Sequence, residues 1–160
     1  MAWGETLARL AYSCVLRLGT PVYLLRLWWR GRIEPGYRQH IAQRFGLGLD
    51  ALPALSPGMI WLHAVSLGET RAAAALIAAL RAERPGMRLL LTHSTATGRT
   101  AGESLLQPGD VQVWLPVDTP GAVRRFLRAA RPVVGVLMET EIWPNLIHEA
   151  GLQKVPLVLA

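Results

Sequence analysis

From residue 59 onward, short apolar runs alternate with stretches of helix-forming residues. The apolar runs cover residues 59–64, 87–92, 111–115, 133–138 and 155–160. Each run has the length of a β-strand that is buried on both faces. Strands that alternate with helices of about ten to fifteen residues are typical of βαβ units and a parallel sheet. The sequence therefore predicts an α/β fold in which helices flank a parallel sheet.

Polar residues follow the predicted strands. Right-handed crossovers would bring the loops that follow the strands to one edge of the sheet, where open parallel sheets bind ligands. These loops contain residues 66–69, 93–98, 118 and 139–145. We also expect Asp118 or Thr119 to cap a helix whose first turn contains Pro120.

Glu69 stands where the first strand turns into a helix, after the turn Ser66-Leu67-Gly68. Two interpretations are open. Glu69 can be a first-turn acid that complements the helix dipole, an effect of less than about 1 kcal/mol. It can also be a general base, if a substrate hydroxyl comes within about 3 Å of it. The neighbouring His63 and Ser66 favour a functional site, because polar residues in such loops often bind or catalyse.

Composition limits the size and the partners of the protein. The chain has 160 residues, of which 51% are hydrophobic, enough for one well-buried domain. Its net charge of +6 comes mainly from arginine and indicates an anionic partner, such as a phosphorylated ligand or a membrane surface. Nucleic acid is disfavoured, because the basic residues are dispersed and no nucleic-acid-binding motif is present. The single cysteine, Cys14, excludes an internal disulfide and a cysteine-rich metal site.

Residues 3–29 are rich in leucine and aromatic residues. Four charged residues interrupt the run before it reaches the 18 or so uncharged residues of a spanning helix: Glu5, Arg9, Arg17 and Arg26. This pattern favours a helical arm that lies on a membrane surface. A helix that packs on the core with a basic outer edge is the alternative. Pro21 is expected to kink the segment or to split it into two helices.

A basic segment and a proline-containing segment follow. The basic segment suits a phosphate-bearing surface and contains Arg30, Arg32, Arg38 and Arg44. Residues 47–58 contain two prolines and predict a linker. We therefore divide the chain into an arm (1–46), a linker (47–58) and an α/β domain (59–160). Because the chain ends inside a predicted strand, which would leave an unpaired edge, we expect it to be the N-terminal part of a longer protein.

Four motifs together resemble one known family. They are HAVSLGET at 63–70, THSTATGR at 92–99, LPVDTPGAVRRFL at 115–127 and METEIWPNLI at 138–147. In this order and spacing they are similar to the successive motifs of the 3-deoxy-D-manno-octulosonic acid (Kdo) transferases. The resemblance covers nearly the whole chain, including LLRLWWRGR and PGYRQHIAQRFG near its N-terminus.

The resemblance implies a fold and an activity. The fold would be the Rossmann-like N-terminal half of a GT-B glycosyltransferase, which binds the acceptor. The activity would be inverting transfer of Kdo from CMP-Kdo to the lipid A precursor lipid IVA, without a metal or cofactor, at the cytoplasmic face of the bacterial inner membrane. The N-terminal arm would be a monotopic or single-pass anchor. Most of the donor site would lie in a second domain outside these 160 residues, so that this part alone would be inactive.

The resemblance also assigns residues. Glu69 corresponds to the general base and Glu139 to the residue that orients it. Glu141 is a second candidate for the orienting residue and is also expected at the acceptor. Glu141 can alternatively cap the helix that begins near Pro144. The other residues expected to bind the acceptor are Ser66, Gly68, Thr95, Thr97, Gly98, Arg30, Arg32 and Arg38.

Histidines and tryptophans receive a structural interpretation. His93-Ser94 stands where the family more often has Thr-Met, so we expect His93, like His63, to be a hydrogen-bonded part of the scaffold. Trp61, Trp114 and Trp143 are expected in the core, and of the three Trp143 is the one that can also lie near the acceptor.

Two other classes of function stay open at this level. One is a different GT-B-like enzyme of lipid A or nucleotide-sugar metabolism, which should lack the paired SLGE and METE motifs. The other is a non-catalytic module that binds membrane lipids.

Overall fold

The computed structural model describes residues 2–138 and 142–160. Its strands are β1 (Ile60–His63), β2 (Leu89–His93), β3 (Val111–Trp114), β4 (Val134–Leu137) and β5 (Leu157–Leu159). Its α-helices are α1 (Ala2–Arg30), α2 (Leu67–Glu83), α3 (Ala96–Glu103), α4 (Pro120–Ala130) and α5 (Pro144–Leu152). Two short 3₁₀ helices, Pro35–Arg38 and Ile41–Phe45, lie between α1 and β1. Each predicted apolar run coincides with one of the strands, and only β2 extends beyond its run, by one residue, His93.

The strands form one parallel sheet in the order β3-β2-β1-β4-β5. This is the Rossmann-like arrangement, and it confirms the predicted α/β fold. The strand order reverses between β1 and β4, so the chain leaves these two strands in opposite directions. A crevice opens at such a switch point, beyond the carboxyl ends of the strands. The first turn of α2, which contains Glu69, follows β1 and therefore lies at this crevice.

Apolar side chains cover both faces of the sheet. Trp61 and Trp114 are fully buried, as predicted. The Trp61 ring meets Phe126 of α4 edge-on, with ring centroids 5.1 Å apart, and its indole N–H donates to Thr92 Oγ1 at 2.8 Å. Gly135 lies beside this ring, where a Cβ atom would come within 2.6 Å of the indole. Glycine at position 135 therefore leaves room on β4 for the ring of Trp61 from the neighbouring strand.

Asp118 caps a different helix from the one predicted. The carboxylate accepts the backbone N–H groups of Asn145 (3.0 Å) and Leu146 (2.8 Å), in the first turn of α5. Thr119 is the N-cap residue of α4 but makes no capping hydrogen bond through its side chain. The predicted start of α4 is therefore confirmed at Thr119, with Pro120 in the first turn, although neither the Asp118 nor the Thr119 side chain bonds to that turn. Tertiary packing brings the free N–H groups of α5, which are more distant in the sequence, within reach of Asp118.

Pro21 does not split the N-terminal segment, because α1 continues as one helix from residue 2 to 30. The ring of Pro21 is exposed, and the nearby Thr20 hydroxyl donates to the Leu16 carbonyl at 3.0 Å. Proline lacks the N–H group that would bond to the carbonyl four residues earlier, and this loss lowers helix stability without ending α1 here. None of the helices in the described ranges combines the length and apolarity needed to cross a bilayer.

One face of α1 packs on the body of the protein. Leu27 and Ser13 are buried, and Ser13 Oγ accepts a hydrogen bond from the Asn145 side-chain amide at 3.0 Å. The opposite face is apolar and exposed, at helical spacing: Trp3, Leu7, Leu10, Leu18, Val22, Leu25 and Trp29. We call these seven residues the outer face of α1.

Residues 31–58 also pack on the body. Tyr37 is buried and stacks on Trp114, with ring centroids 6.4 Å apart. Leu49 is 1% exposed and belongs to the core cluster of the α/β domain. The division into arm, linker and domain stays a prediction, although the segment 47–58 contributes a core side chain.

Candidate functional site

Two helix starts lie side by side at the carboxyl edge of the sheet. Val65, which follows β1, accepts hydrogen bonds at its carbonyl from the Thr95 hydroxyl (2.9 Å) and the Thr95 N–H (3.1 Å). Gly98 packs on the neighbouring turn, where a Cβ atom would lie 3.0 Å from the carbonyl carbon of Ser66. The structure thus brings Ser66, Thr95 and Gly98 together.

Side chains cap both helix starts. Ser66 Oγ accepts the Glu69 N–H at 3.4 Å, and Thr95 Oγ1 accepts the Gly98 N–H at 3.2 Å. Such caps satisfy backbone donors that have no partner within the helix. The remaining N–H groups and the dipoles of α2 and α3 favour negative charge at this edge.

Glu69 is held tightly within its own turn. Its Oε2 accepts the Val65 N–H at 2.6 Å, and its Oε1 accepts the Ser66 hydroxyl at 2.7 Å. The residue is 9% exposed. This reciprocal pattern resembles a capping box, so the interpretation as a first-turn acid has direct geometric support. It does not exclude a base, because each carboxylate oxygen can accept a further hydrogen bond.

Glu139 and Glu141 lie outside the described residues. The backbone before them is described: β4 runs beside β1, and the Met138 N–H donates to the His63 carbonyl at 3.0 Å. The strand β4 therefore lies on the other side of the switch point from β1, the strand that precedes Glu69. The predicted roles of both glutamates stay predictions.

Gly68 and Thr97 occupy more open positions. Gly68 is exposed, and a Cβ atom there would meet only Ser66 Oγ, at 3.9 Å. Thr97 is exposed on α3 and lines a shallow groove with Leu67 and the turn at residues 35–36. The surroundings of Gly68 would accommodate a larger side chain, and those of Thr97 show no contact that only threonine could make.

The predicted acceptor-binding arginines cluster near the end of α1 and already have partners. Arg30 pairs with Glu34 at 3.2 Å and lies over the Tyr37 ring. Arg32 and Arg38 lie over the Trp28 ring, at 4.4 and 5.1 Å from its centroid. Arg38 also donates twice to the Trp28 carbonyl, at 3.0 and 2.7 Å. These contacts orient the cluster and leave Arg32 and Arg38 exposed to solvent.

Both histidines at the strand ends are buried and hydrogen-bonded. His63 Nδ1 contacts Thr92 Oγ1 at 2.9 Å. His93 Nδ1 lies 2.9 Å from the Ala64 carbonyl, and the Gln112 side-chain amide lies 3.1 Å from Nε2. The carbonyl contact places the proton on Nδ1 of a neutral His93. His93 thereby supports the backbone immediately before the turn that holds Glu69, as expected of a scaffold residue.

Gly102 makes room for the His93 ring. A Cβ atom at this position would come within 2.5 Å of His93 Nε2 and 2.6 Å of the Gln112 amide nitrogen. The sequence pattern gave no indication of this dependence. Gly102 lies nine residues from His93 and ten from Gln112 along the chain, and these residues come into contact only when α3 packs on β2 and β3.

Burial of the two histidines should make the protein sensitive to acid. Burial lowers the pKa of both His63 and His93 from 6.5 to about 4. Between these values the unfolded chain binds more protons than the folded chain, so stability falls as the pH falls. Each histidine removes up to about 3 kcal/mol from the free energy of unfolding by about pH 4. Urea denaturation at about pH 7 and about pH 5 measures the slope.

Two variants separate the buried histidines from other titrating groups. His93→Asn should flatten the pH dependence, although it also lowers stability at neutral pH. His148→Gln, at an exposed position on α5, should leave it unchanged. A wild-type protein equally stable at both pH values would contradict the prediction.

Two further residues shape this region: Asn145, which the sequence analysis did not single out, and Arg44, which it placed elsewhere. Asn145 bridges α1 and the loop after β3, donating to the Asp118 carbonyl at 2.6 Å as well as to Ser13. Arg44 is 2% exposed and lies over the Trp114 ring, although it was expected on a phosphate-bearing surface. The position of Asn145 directly after Trp143-Pro144, at a helix start, was a signal that could have identified it. Across the described ranges, no group of three or more His, Cys, Asp or Glu side chains could hold a metal ion.

Comparisons with known proteins agree with the motifs. The model of a family described as "3-Deoxy-D-manno-octulosonic-acid transferase (kdotransferase)" matches residues 39–160. A 3-deoxy-D-manno-octulosonic acid transferase of Bordetella pertussis is 46% identical over 159 residues, covering 96% of this chain and 37% of that protein. Its counterpart in Haemophilus influenzae is 33% identical over 153 residues, covering 95% of this chain and 35% of that protein. A probable mitochondrial 3-deoxy-D-manno-octulosonic acid transferase of Arabidopsis thaliana is 34% identical over 141 residues, covering 88% of this chain and 31% of that protein.

The chain thus spans only about a third of the length of these relatives. Within that span the family match includes the whole parallel sheet and the loops at its carboxyl edge. The Rossmann-like sheet, the paired helix starts and the family match lead to one conclusion: the chain belongs to the 3-deoxy-D-manno-octulosonic-acid transferase (kdotransferase) family.

Proposed function

We propose that this chain is the acceptor-binding part of a GT-B enzyme that transfers Kdo from CMP-Kdo to the lipid A precursor lipid IVA in lipopolysaccharide synthesis. The observation that carries the proposal is the position of Glu69 at the switch point, within a chain that belongs to this family. The matched relatives extend well beyond the aligned region. We assign most of the donor site to that further part, and expect the 160-residue chain to be inactive alone.

The proposed chemistry is a direct displacement with inversion. A hydroxyl of the acceptor attacks the anomeric carbon of Kdo as the bond to the CMP oxygen breaks, and Glu69 takes the hydroxyl proton. Fixed hydrogen bonds from the Val65 N–H and the Ser66 hydroxyl hold the carboxylate in one orientation. A base fixed in this way needs no reorganisation when the hydroxyl arrives. No step in this scheme requires a metal.

Neighbouring residues would complete the acceptor site. Glu139, across the switch point, would orient Glu69, and Glu141 would contact the acceptor. Ser66, Thr95 and Gly98 lie together at the paired helix starts and can present hydroxyl and backbone groups to a sugar. Gly68 and Thr97 would border the same edge.

The acceptor would reach the site from the membrane surface. We propose that the outer face of α1 lies in the interfacial layer on the cytoplasmic side of the bacterial inner membrane. Helical spacing places Arg17 and Arg26 on either side of this face, where their charges can meet anionic headgroups. Arg32 and Arg38, exposed beyond the end of α1, would then contact the phosphates of the acceptor, together with Arg30.

The complete protein tests this function directly. In detergent, with radiolabelled lipid IVA and CMP-Kdo, it should convert the acceptor to a Kdo-modified product. Replacing CMP-Kdo with another nucleotide sugar should abolish the product. If the complete protein transfers a different sugar, the alternative GT-B-like enzyme is correct. If lipid IVA binds but no donor is used, the protein is a lipid-binding module.

A further inference from the structure

A cavity of about 470 Å³ lies between α1 and the loop that follows β3. One wall of the cavity is formed by α1, through Leu16, Gly19 and Tyr23. A second wall is formed by Leu115 and Pro116, and Trp143 also lines the cavity. Most of this lining is apolar, and the volume is within the usual range for small-molecule sites, about 300–1,000 Å³. The cavity therefore suits the apolar part of a ligand.

Arg44 contributes a buried positive charge to the wall of this cavity. One guanidinium nitrogen donates to the Tyr23 hydroxyl at 3.0 Å, and the group lies 3.7 Å from the centroid of the Trp114 ring. Its Nε and Nη2 have no hydrogen-bond partner among residues 2–138 and 142–160. Burial lowers the Arg44 pKa. A buried cation without an anionic partner is costly, and a bound anion would compensate it.

The other charged residues around the cavity do not provide an anionic partner for Arg44. Arg26 and Arg30 also line it, and Arg30 is already paired with Glu34. Asp118 lines it too, but its carboxylate accepts two backbone N–H groups at the start of α5. The described lining thus contains three arginines and one carboxylate, and that carboxylate already accepts two hydrogen bonds. The net positive charge of the lining complements an anion.

Gly19 keeps space open on the helix side of the cavity. A Cβ atom at this position would meet no other atom within 4 Å. Glycine in a helix interior lowers helix stability relative to alanine, and here it leaves room beside an apolar wall. A larger side chain at residue 19 can therefore enter the cavity without a backbone clash.

We propose that this cavity binds one acyl chain of a phosphate-bearing lipid, with the chain against the apolar walls and the phosphate beside Arg44. The outer face of α1 belongs to the same helix, so a lipid could enter from the bilayer on which that helix rests. Two sources share this chemistry: the acceptor glycolipid and an ordinary membrane phospholipid. Binding of a phosphate-bearing lipid in this cavity is argued from the cavity itself, and only the choice of the acceptor glycolipid as that lipid rests on the proposed function.

A single-chain probe tests the cavity without any donor sugar. The probe is lysophosphatidic acid with a dibrominated acyl chain, which quenches nearby tryptophans such as Trp143, used below its micelle concentration. Saturable quenching is expected, and Gly19→Leu should weaken binding by at least about tenfold, because the new side chain overfills the site. Gly4→Leu is the matched control: it lies on the same helix, has no atom within 4 Å of its Cβ position, and is outside the cavity lining.

Charge recognition has its own comparison. Arg44→Met should weaken binding of the phosphate probe but not of the uncharged monoacylglycerol with the same chain. Equal quenching in Gly19→Leu and Gly4→Leu would place the probe elsewhere, on the outer face of α1, and overturn the proposal. That comparison decides the question even if Arg44→Met fails to fold.

Competition then identifies the source. Displacement of the probe by lipid IVA names the acceptor, and displacement by phosphatidylglycerol names a membrane phospholipid. If neither lipid displaces the probe, the proposal is wrong. Because binding is measured without CMP-Kdo, failure here is distinguishable from failure of Kdo transfer by the complete protein.

Discussion

Replacing Glu69 with glutamine should lower Kdo transfer by the complete protein by about 10²–10⁴-fold, the usual contribution of a general base. Glutamine has nearly the same size, and its amide oxygen can still accept the Val65 N–H that Oε2 accepts now at 2.6 Å. The amide cannot take a proton from the attacking hydroxyl. The loss should therefore appear in the rate of transfer, measured as labelled product per minute at saturating acceptor.

The control uses the same substitution on the same helix. Glu83→Gln, at the exposed end of α2, should leave transfer unchanged. Thermal unfolding should show that Glu69→Gln is folded at the assay temperature. Undiminished transfer by this variant would return Glu69 to a purely capping role and refute its assignment as the base. An equal loss of rate in a variant that is largely unfolded would say nothing of proton transfer, so the rate is compared per folded molecule.

Removing three apolar side chains from the outer face of α1 should reduce binding to anionic vesicles by at least about 10²-fold. The variant combines Leu18→Ser, Leu25→Ser and Trp29→Ser, at positions that are 80%, 66% and 62% exposed. Each side chain should gain about 1.5 kcal/mol or more if it leaves water for the acyl boundary, and 1.4 kcal/mol corresponds to tenfold in affinity. Sedimentation with vesicles of phosphatidylethanolamine and phosphatidylglycerol measures the loss.

A second triple variant controls for the general loss of apolar surface. Leu47→Ser, Val133→Ser and Leu152→Ser change residues outside α1 that are 48%, 49% and 64% exposed. This variant should bind vesicles like the unmodified protein. Equal binding by both triple variants would show that the outer face of α1 does not contact lipid.

The positions of strands and helix starts could be predicted from local sequence. Four of the strands lie within their apolar runs and β2 extends one residue past its run, to His93, while the residues after β1 lead into a helix as expected. Trp61 and Trp114 are buried as predicted. Helices cover both faces of the sheet, so a side chain on either side of a central strand is buried. These features depend on residues within a few positions of one another.

The family motifs predicted more of the site than the local sequence pattern did, but they did not predict the hydrogen bonds within it. They placed Ser66, Thr95 and Gly98 in one crevice, and the structure brings these residues together around the Val65 carbonyl and the Ser66 backbone. They did not indicate that both oxygens of Glu69 bond within its own turn. That arrangement depends on side-chain conformation, which the sequence motif does not specify.

The sequence by itself determined the parallel α/β fold of this protein, its helix starts and its family, because periodicity, turn residues and motif order are local properties. Only the tertiary structure decided that Asp118 caps α5, that Arg44 lies buried against Trp114, and that a cavity separates α1 from the loop after β3. Asp118 lies 27 residues from Asn145 and Arg44 lies 70 from Trp114. The packing of the helices on the sheet decides which distant residues Asp118 and Arg44 contact.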